Sequence, residues 1–406
     1  MTPEAQHAFP TVGPEFVERQ TVVNFGPATL ASQVSGYKLD NATLTDKILR
    51  NSRATPGSIE EAELPKSIGK FIDATGMSTR YSSTELTRDP ARVLERTAAI
   101  GAELVREAMQ RQGWDHIDYL FDTSASLSPE VAELMLDQAN IDPATVITRP
   151  YRVACAGAAT AFDDSLLDPE ARDKNVVVCA LEPLSQHTSD GQLTLKNMGI
   201  PTIFGDDYAI IAYNPADFEV VSARTHIVYD GAPIRFHTDY GLPPSDDVIP
   251  AHYIFSESGI DISSVSEKGF FIKIEDPESD LPAEMDGIKT ATFFIRATAE
   301  VIQKVVECAQ AKKVDVRQVV MHQPSLKVNE GIQNRVGKYP NLANLNIPDF
   351  LLGEIGRSNS SSATTLVIWE HLARTGKLNP RQPFLICAPG IGAVITAAVI
   401  VPKQAK

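Results

Sequence analysis

The chain is short of cysteine and tryptophan, with four of the first and two of the second among 406 residues. The cysteines are scattered and none forms a CxxC pair, which excludes a disulfide framework and fits a reducing cytoplasm. Long apolar runs are also missing. The longest late one, AVITAAVIV, falls far below the roughly 18 residues that suggest a membrane span. The opening MTPEAQHAFPTVGPEF has no basic segment followed by an apolar core, so no signal peptide is expected. Basic side chains are the third deficit: 37 Lys and Arg against 52 Asp and Glu give a net charge of −15. That balance argues against nucleic acid as the main partner, because neutralising phosphates needs a basic surface. It leaves room for a local basic patch facing an acidic carrier.

Several chemistry-bearing motifs are absent as well. No HExxH or GxxxxGK[ST] occurs, so neither a metal nor a nucleotide is implied, and no GxSxG elbow surrounds the serine run near residue 360. PGIGAVIT half-matches a dinucleotide-binding loop. Only 14 residues follow Gly392, too few for the roughly 30-residue βαβ unit that motif requires.

What is present is an ordinary globular composition, 43% hydrophobic and 22% charged, and an alternation of helical and strand patterns that predicts an α/β fold. PARVLERTAAIGAELVREAMQRQG has helical spacing and closes on Gly113, and DHIDYLFDTSAS then reads as a strand entering a polar loop. The same plan returns as TAEVIQKVVECAQAKK followed by VDVRQVVMHQPS, with Tyr119-Leu120-Phe121 over Val319-Val320-Met321 at an offset of 200. ACAGAATAFDDSLL and RSNSSSATTLVIWEHL each read as a turn opening a helix, and each precedes a buried strand. Cys179 and Cys387 occupy equivalent places in those strands at an offset of 208. One α/β unit is therefore expected twice, with equivalent loops meeting at a shared centre. Residues 226–290, rich in Pro, Gly and acidic residues, are expected to form a cap over the substrate channel, and residues 1–20 a poorly ordered or wrapping arm. The halves are then 21–225 and 291–406.

Three loop residues at that centre stand out. Cys155 sits where a helix begins, and the positive end of a helix dipole favours the reactive thiolate. His322 follows a predicted strand at a loop mouth, where functional residues of α/β proteins gather. Asn359 lies in the turn before a later helix. Singly, each has a plainer reading: a small buried thiol, a capping histidine, a helix N-cap. Cys179, Cys308 and Cys387 fit that plainer reading, each within an apolar pattern.

The ordered set ACAGAATAF, IFGDD, MHQPS, GRSNSSSA and PGIG resembles the β-ketoacyl synthase III branch of the thiolase superfamily, and DATGMSTRY resembles that branch's Gly-Ile-x-x-Arg turn. The resemblance runs from about Val22 to Val401. It implies duplicated βαβαβαββ halves in five α-β-α-β-α layers, a homodimer, and no cofactor beyond coenzyme A or acyl-carrier-protein thioester substrates. It implies that Cys155, His322 and Asn359 form a Cys-His-Asn triad, with an oxyanion hole from the backbone N–H groups of Cys155 and Ile391. Cys155 takes an acyl group, and His322 and Asn359 hold the thioester oxygen of a malonyl or β-ketoacyl unit as its enolate forms. Lys327 falls at the branch's basic carrier-docking position, and Arg335 and Lys338 follow on the same predicted helix.

The match is not uniform. His322-Gln323-Pro324-Ser325 stands where the branch reads His-Gln-Ala-Asn, Lys70 and Ala74 replace its adenine-sandwiching Trp and Arg, and Asp207-Tyr208 replaces small residues. These departures point away from fatty-acid initiation and toward polyketide or specialised lipid assembly. Two alternatives share the scaffold: acyl transfer from Cys155 to an alcohol or amine, and a non-catalytic partner subunit of a heterodimer.

Overall fold

The computed structural model describes residues 15–53, 64–83, 89–124, 126–151, 153–187, 199–227, 235–240, 272–273, 284–285, 287–390 and 394–403. In chain order the strands are β1 (Phe16–Phe25), β2 (Ala28–Asp40), β3 (Thr79–Ser82), β4 (Tyr119–Asp122), β5 (Ile147–Pro150), β6 (Val176–Glu182), β7 (Asp207–Tyr213), β8 (Phe218–Ile227), β9 (Arg235–Tyr240), the two-residue β10 (Ile272–Lys273) and β11 (Glu284–Met285), β12 (Gln318–Met321), β13 (Phe384–Gly390) and β14 (Val394–Pro402). The helices are α1 (Asn41–Arg53), α2 (Leu64–Thr75), α3 (Pro90–Gln112), α4 (Glu130–Gln138), α5 (Gly157–Leu167), α6 (Gly199–Ile203), α7 (Gly287–Ala311), α8 (Leu326–Val336) and α9 (Ala363–Arg374).

Two mixed sheets carry the duplication. The first runs β1-β2-β7-β6-β4-β5, with β3 pairing onto β2, and the second runs β12-β13-β14-β8-β9. Within them β5-β4-β6-β7-β2 corresponds to β12-β13-β14-β8 preceded by an isolated parallel bridge from Asn346 to Gln318, which fills the place of β5. β4 is parallel to β6 and β12 to β13, and both next pairings are antiparallel. VVVCALE and FLICAPG are buried along their whole length, as expected of strands covered on both faces.

Register corrects one expectation. Asp122 pairs with Cys179 and Met321 with Cys387, so the first strands correspond at an offset of 199 while the second keep 208. Tyr119-Leu120-Phe121 therefore overlies residues 318–320. Side chains alternate along a strand, so a one-residue slip would swap faces. Phe121 and Val320 both point into the core between the sheets, whereas Leu120 and Val319 point to the outer helices.

Five layers result. Helices α5 and α9 lie between the sheets, where Trp369 meets Phe25 and Phe162 edge-on. From Ala363 to Leu372 α9 is buried all round, its polar Thr364, Thr365, Glu370 and His371 included, as a helix between two sheets must be. Helices α3 and α4 cover the outer face of the first sheet, and α7 and α8 that of the second. Asp89 caps α3 by accepting from Ala91 N–H (3.0 Å), Pro90 opens it, and Gly113 (φ 69°) closes it where the sequence placed its end.

Two boundaries shift. Residues 16–25 of the expected arm and first strand are β1, paired along its length with β2. The first half was expected to extend to residue 225. Yet β8 starts at Phe218 and pairs with β14 in the second sheet, because its alternating apolar face completes that sheet's core. Of the expected 226–290 cap, β9 pairs onto β8, and most of the rest lies outside the described residues. Among the described residues no helix is long and apolar enough to cross a membrane.

Candidate active site

The loop after β5 bends sharply before α5. Ala154 adopts φ 48°, a left-handed conformation that costs a non-glycine residue about 1–3 kcal/mol and is held only where its surroundings fix it. A 3-10 turn, Ala154–Ala156, carries the buried Cys155 into the first turn of α5. Cys155 thus stands at the positive end of an 11-residue helix.

Two glycines let the other loops close on this bend. A Cβ on Gly390, the last residue of β13, would lie 2.8 Å from both Ala156 N and Val153 O. A Cβ on Gly157 would lie 3.0 Å from Thr123 Cβ and 3.3 Å from Ser362 Cβ. The end of β13 and the turn before α9 therefore touch the residues on either side of Cys155. Ile391, the expected second oxyanion donor, lies outside the described residues, as does the remainder of the PGIG turn.

His322 follows β12 directly, and its N–H donates to Cys387 O (2.9 Å). Its ring is fully buried and neither nitrogen has a hydrogen-bond partner among the described residues. Burial pushes the imidazole down to about 3, so it is neutral at physiological pH. A neutral ring has one donor and one acceptor, and an unmet buried polar group costs stability unless something else supplies its bond.

Asn359 is oriented from both sides. Its Oδ1 accepts from Ser361 N–H (2.9 Å) and Thr364 Oγ1–H (3.3 Å), while Nδ2–H donates to Pro324 O (3.3 Å), two residues after His322. With the oxygen occupied, the amide nitrogen faces the His322 loop and keeps a second hydrogen to donate. Gln323 clamps that loop: Nε2–H donates to Asp349 O and Oε1 accepts from Leu351 N–H, both at 2.7 Å. Pro324 supplies its carbonyl, and Ser325 caps α8. The backbone of Asn359 is bonded to Ile203 O and Gly205 N–H, both at 3.1 Å. Arg80, from the Gly76–Arg80 turn, is buried and donates Nε–H to Thr202 O (2.9 Å). The predicted trio thus comes from three loops knit to one another within a few residues of each member.

Residues not singled out by sequence reading complete the centre. Ser362 Oγ–H shares its one hydrogen between Glu182 Oε1 (2.9 Å) and Thr123 O (2.8 Å), and Glu182 Oε2 accepts from Ser126 Oγ–H (2.8 Å). The serine run hinted at a helix cap, but nothing local pointed to its partners across the sheets.

Most of the other candidates lie on helices. Lys327 is exposed on α8 and paired with Glu330 (2.8 Å), Arg335 is half-buried against Glu300 of α7 (3.4 Å), and Lys338 is exposed. Lys70 is exposed on α2 and Ala74 is half-buried there. Cys179 and Cys387 are wholly buried on strands, and burial pushes the Cys387 thiol well up. Among the described residues no group of three or more His, Cys, Asp and Glu side chains could hold a metal ion.

No family model matches the chain, and no curated protein does. Solved structures match almost throughout. The 3-oxoacyl-(acyl carrier protein) synthase III of Pseudomonas aeruginosa PAO1 superposes with a TM-score of 0.61 at 14% identity, over 95% of this chain and 98% of that one. The 1,3,6,8-tetrahydroxynaphthalene synthase of Streptomyces coelicolor A3(2), a bacterial type III polyketide synthase, gives 0.66 at 13% identity, over 93% and 99%. The C-terminal type III polyketide synthase domain of Steely1 from Dictyostelium gives 0.64 at 14%, over 94% and 99%. The chain has the thiolase fold of these structures, as its resemblance implied.

Proposed function

We propose that this chain is an acyl-thioester condensing enzyme, acting in polyketide or specialised lipid assembly. The observation that carries the reading is a pair of neutral side-chain donors, His322 and Asn359, on loops that close over a cysteine at a helix N-terminus. The N-terminus of α5 favours the Cys155 thiolate, and His322, kept neutral by burial, is read as a donor to oxygen.

The reaction has two strokes. The Cys155 thiolate attacks the carbonyl of an acyl thioester, the tetrahedral oxyanion collapses, and the carrier leaves as its thiolate, which takes from solvent the equivalent of the proton Cys155 gave up, with the acyl group kept on sulfur. Backbone N–H groups of Cys155 and Ile391 are proposed to hold that oxyanion. A malonyl thioester then enters and loses CO2, or a β-ketoacyl thioester gives up its acidic α-proton to solvent. The enolate oxygen accepts hydrogen bonds from His322 and Asn359. Its carbon attacks the acyl carbonyl, forms the new carbon–carbon bond and expels the Cys155 thiolate. Donors fixed beforehand in a water-poor site stabilise this charge without reorganising.

Lys327, exposed and paired with Glu330 of its own helix, suits a phosphopantetheine arm or acidic carrier. Arg335 is engaged with Glu300 and suits that role less. The open edge of β5, with Ile147 exposed, suits pairing with a second copy.

Intact-mass measurement after exposure to acyl-coenzyme A and acyl-carrier-protein thioesters tests the reading, beside Cys155→Ala. A gain of one acyl group, absent from the variant, is expected. Adding a malonyl or β-ketoacyl thioester then separates condensation from transfer to an alcohol or amine. No loading from any donor would favour the non-catalytic partner subunit.

A further inference from the structure

The segment Arg357–Asn359 lies along residues 203–207. Asn359 N–H donates to Ile203 O and Gly205 N–H donates to Asn359 O, and Phe204 and Asn359 form an isolated parallel bridge. At the far end of this short ladder Arg357 Nη1–H donates to Asp207 Oδ1 at 2.6 Å, and both side chains are almost fully buried. Asp207 also accepts from its neighbour, Tyr208 N–H (3.1 Å). Glu370, engaged by Arg374 (2.8 Å), adds a like charge nearby. Burial lifts the Asp207 carboxyl to about 6, with the Arg357 guanidinium opposing that rise.

A buried ion pair is a poor source of stability, since desolvating two charges offsets most of their attraction. Its value here is directional. A guanidinium has a planar, fixed set of donors, and this one is spent on Asp207, two residues after the Gly205 whose N–H donates to Asn359 O. Asp207 is also where the sequence departs from the small residues of the ketoacyl synthase III pattern.

We propose that Asp207 and Arg357 are positioning residues for Asn359: their ion pair fixes where its loop sits against residues 203–205, just before β7, and so where its amide N–H points. The proposal rests on the reading of Asn359 as an enolate-binding donor. The pair serves the second stroke and leaves acyl capture by Cys155 alone.

The test uses the full chain and three variants. Asp207→Asn keeps shape but leaves a guanidinium uncompensated. Arg357→Lys keeps the charge without the fork. The double variant Asp207→Leu/Arg357→Met replaces the pair by apolar groups, a change that buried pairs often tolerate in stability. Acyl loading is followed by intact mass, and product formation from preloaded enzyme and malonyl thioester is followed separately. Exchange of the Asn359 and Gly205 amide hydrogens is measured without substrate. Loading within twofold of wild type, a second step at least tenfold slower in the double variant, partial recovery in Arg357→Lys and faster exchange at both amides are expected. An unchanged second step, an equal fall in both steps, or unchanged amide exchange overturns the proposal. If the wild-type chain takes no acyl group, the functional reading fails, and exchange at these two amides alone decides whether the pair holds the loop.

Discussion

The two halves build the same corner twice and use it oppositely. Thr123 N–H donates to Cys179 O (2.8 Å) after β4, and His322 N–H donates to Cys387 O (2.9 Å) after β12. Ala154 (φ 48°) precedes α5 and Ser361 (φ 51°) precedes α9, each in a left-handed bend. At these offsets Thr123 is the counterpart of His322, and Ser362 that of Cys155. In one corner Ser362 and Thr123 are closed onto Glu182 by hydrogen bonds. In the other, the histidine ring has neither nitrogen bonded among the described residues. One duplicated frame thus holds a polar corner closed on itself and one whose imidazole, among the described residues, keeps both ring nitrogens for a ligand.

Substitution at paired positions is the strongest way to break that comparison. Cys155→Ala should abolish acyl capture by intact mass while leaving the thermal midpoint near wild type, because a small apolar side chain replaces a small thiol. His322→Ala should leave capture in place and slow condensation about 10²–10³-fold, the usual cost of removing one preorganised donor. Ser362→Ala should do the reverse. It leaves Glu182 short of a donor and costs about 1–3 kcal/mol in urea denaturation, with a smaller loss of activity.

Acid sharpens the contrast next. The His322 ring sits at about 3 in the folded chain, below its ordinary value near 6.5. The unfolded chain therefore binds more protons between these values. The stability contributed by the neutral ring is fully present above about 6.5 and is lost as pH falls toward 3. Between pH 6.5 and 5 that amounts to about 2 kcal/mol. Urea midpoints at both pH values should fall less in His322→Gln than in wild type. An equal fall would show that the ring is charged in the folded protein.

The smallest expected effect lies on α8. Lys327→Glu should raise KM for a carrier-bound substrate a few-fold at low salt, with the difference fading as salt is added. Arg335→Gln, removing a half-buried pair with Glu300, should move stability by less than about 1 kcal/mol and leave KM alone.

Much of this centre was legible in the residues themselves. Small residues after Cys155, the His-Gln-Pro turn and the serine-rich turn each have local signatures. The repeat was legible too, but its register was not. Tyr119-Leu120-Phe121 and Val319-Val320-Met321 align equally well by hydrophobicity, and only pairing with β6 and β13 shows that the frames differ by one. The roles of Glu182 and Arg357 were invisible for a related reason. Each acts through a partner that is distant in sequence, Ser362 for the first and Asp207 for the second.

By itself the sequence determined the alternation of elements, the doubled unit, and which cysteine, histidine and asparagine sit at loop mouths, because periodicity, helix starts and turn chemistry act over a few residues. Tertiary structure alone decided that the imidazole is buried and unmet, that Asn359 presents its nitrogen, and that the matching corner is closed by a carboxylate. Burial and hydrogen-bond partnership are properties of surfaces brought together across the sheets, and no local pattern encodes which groups will face each other there.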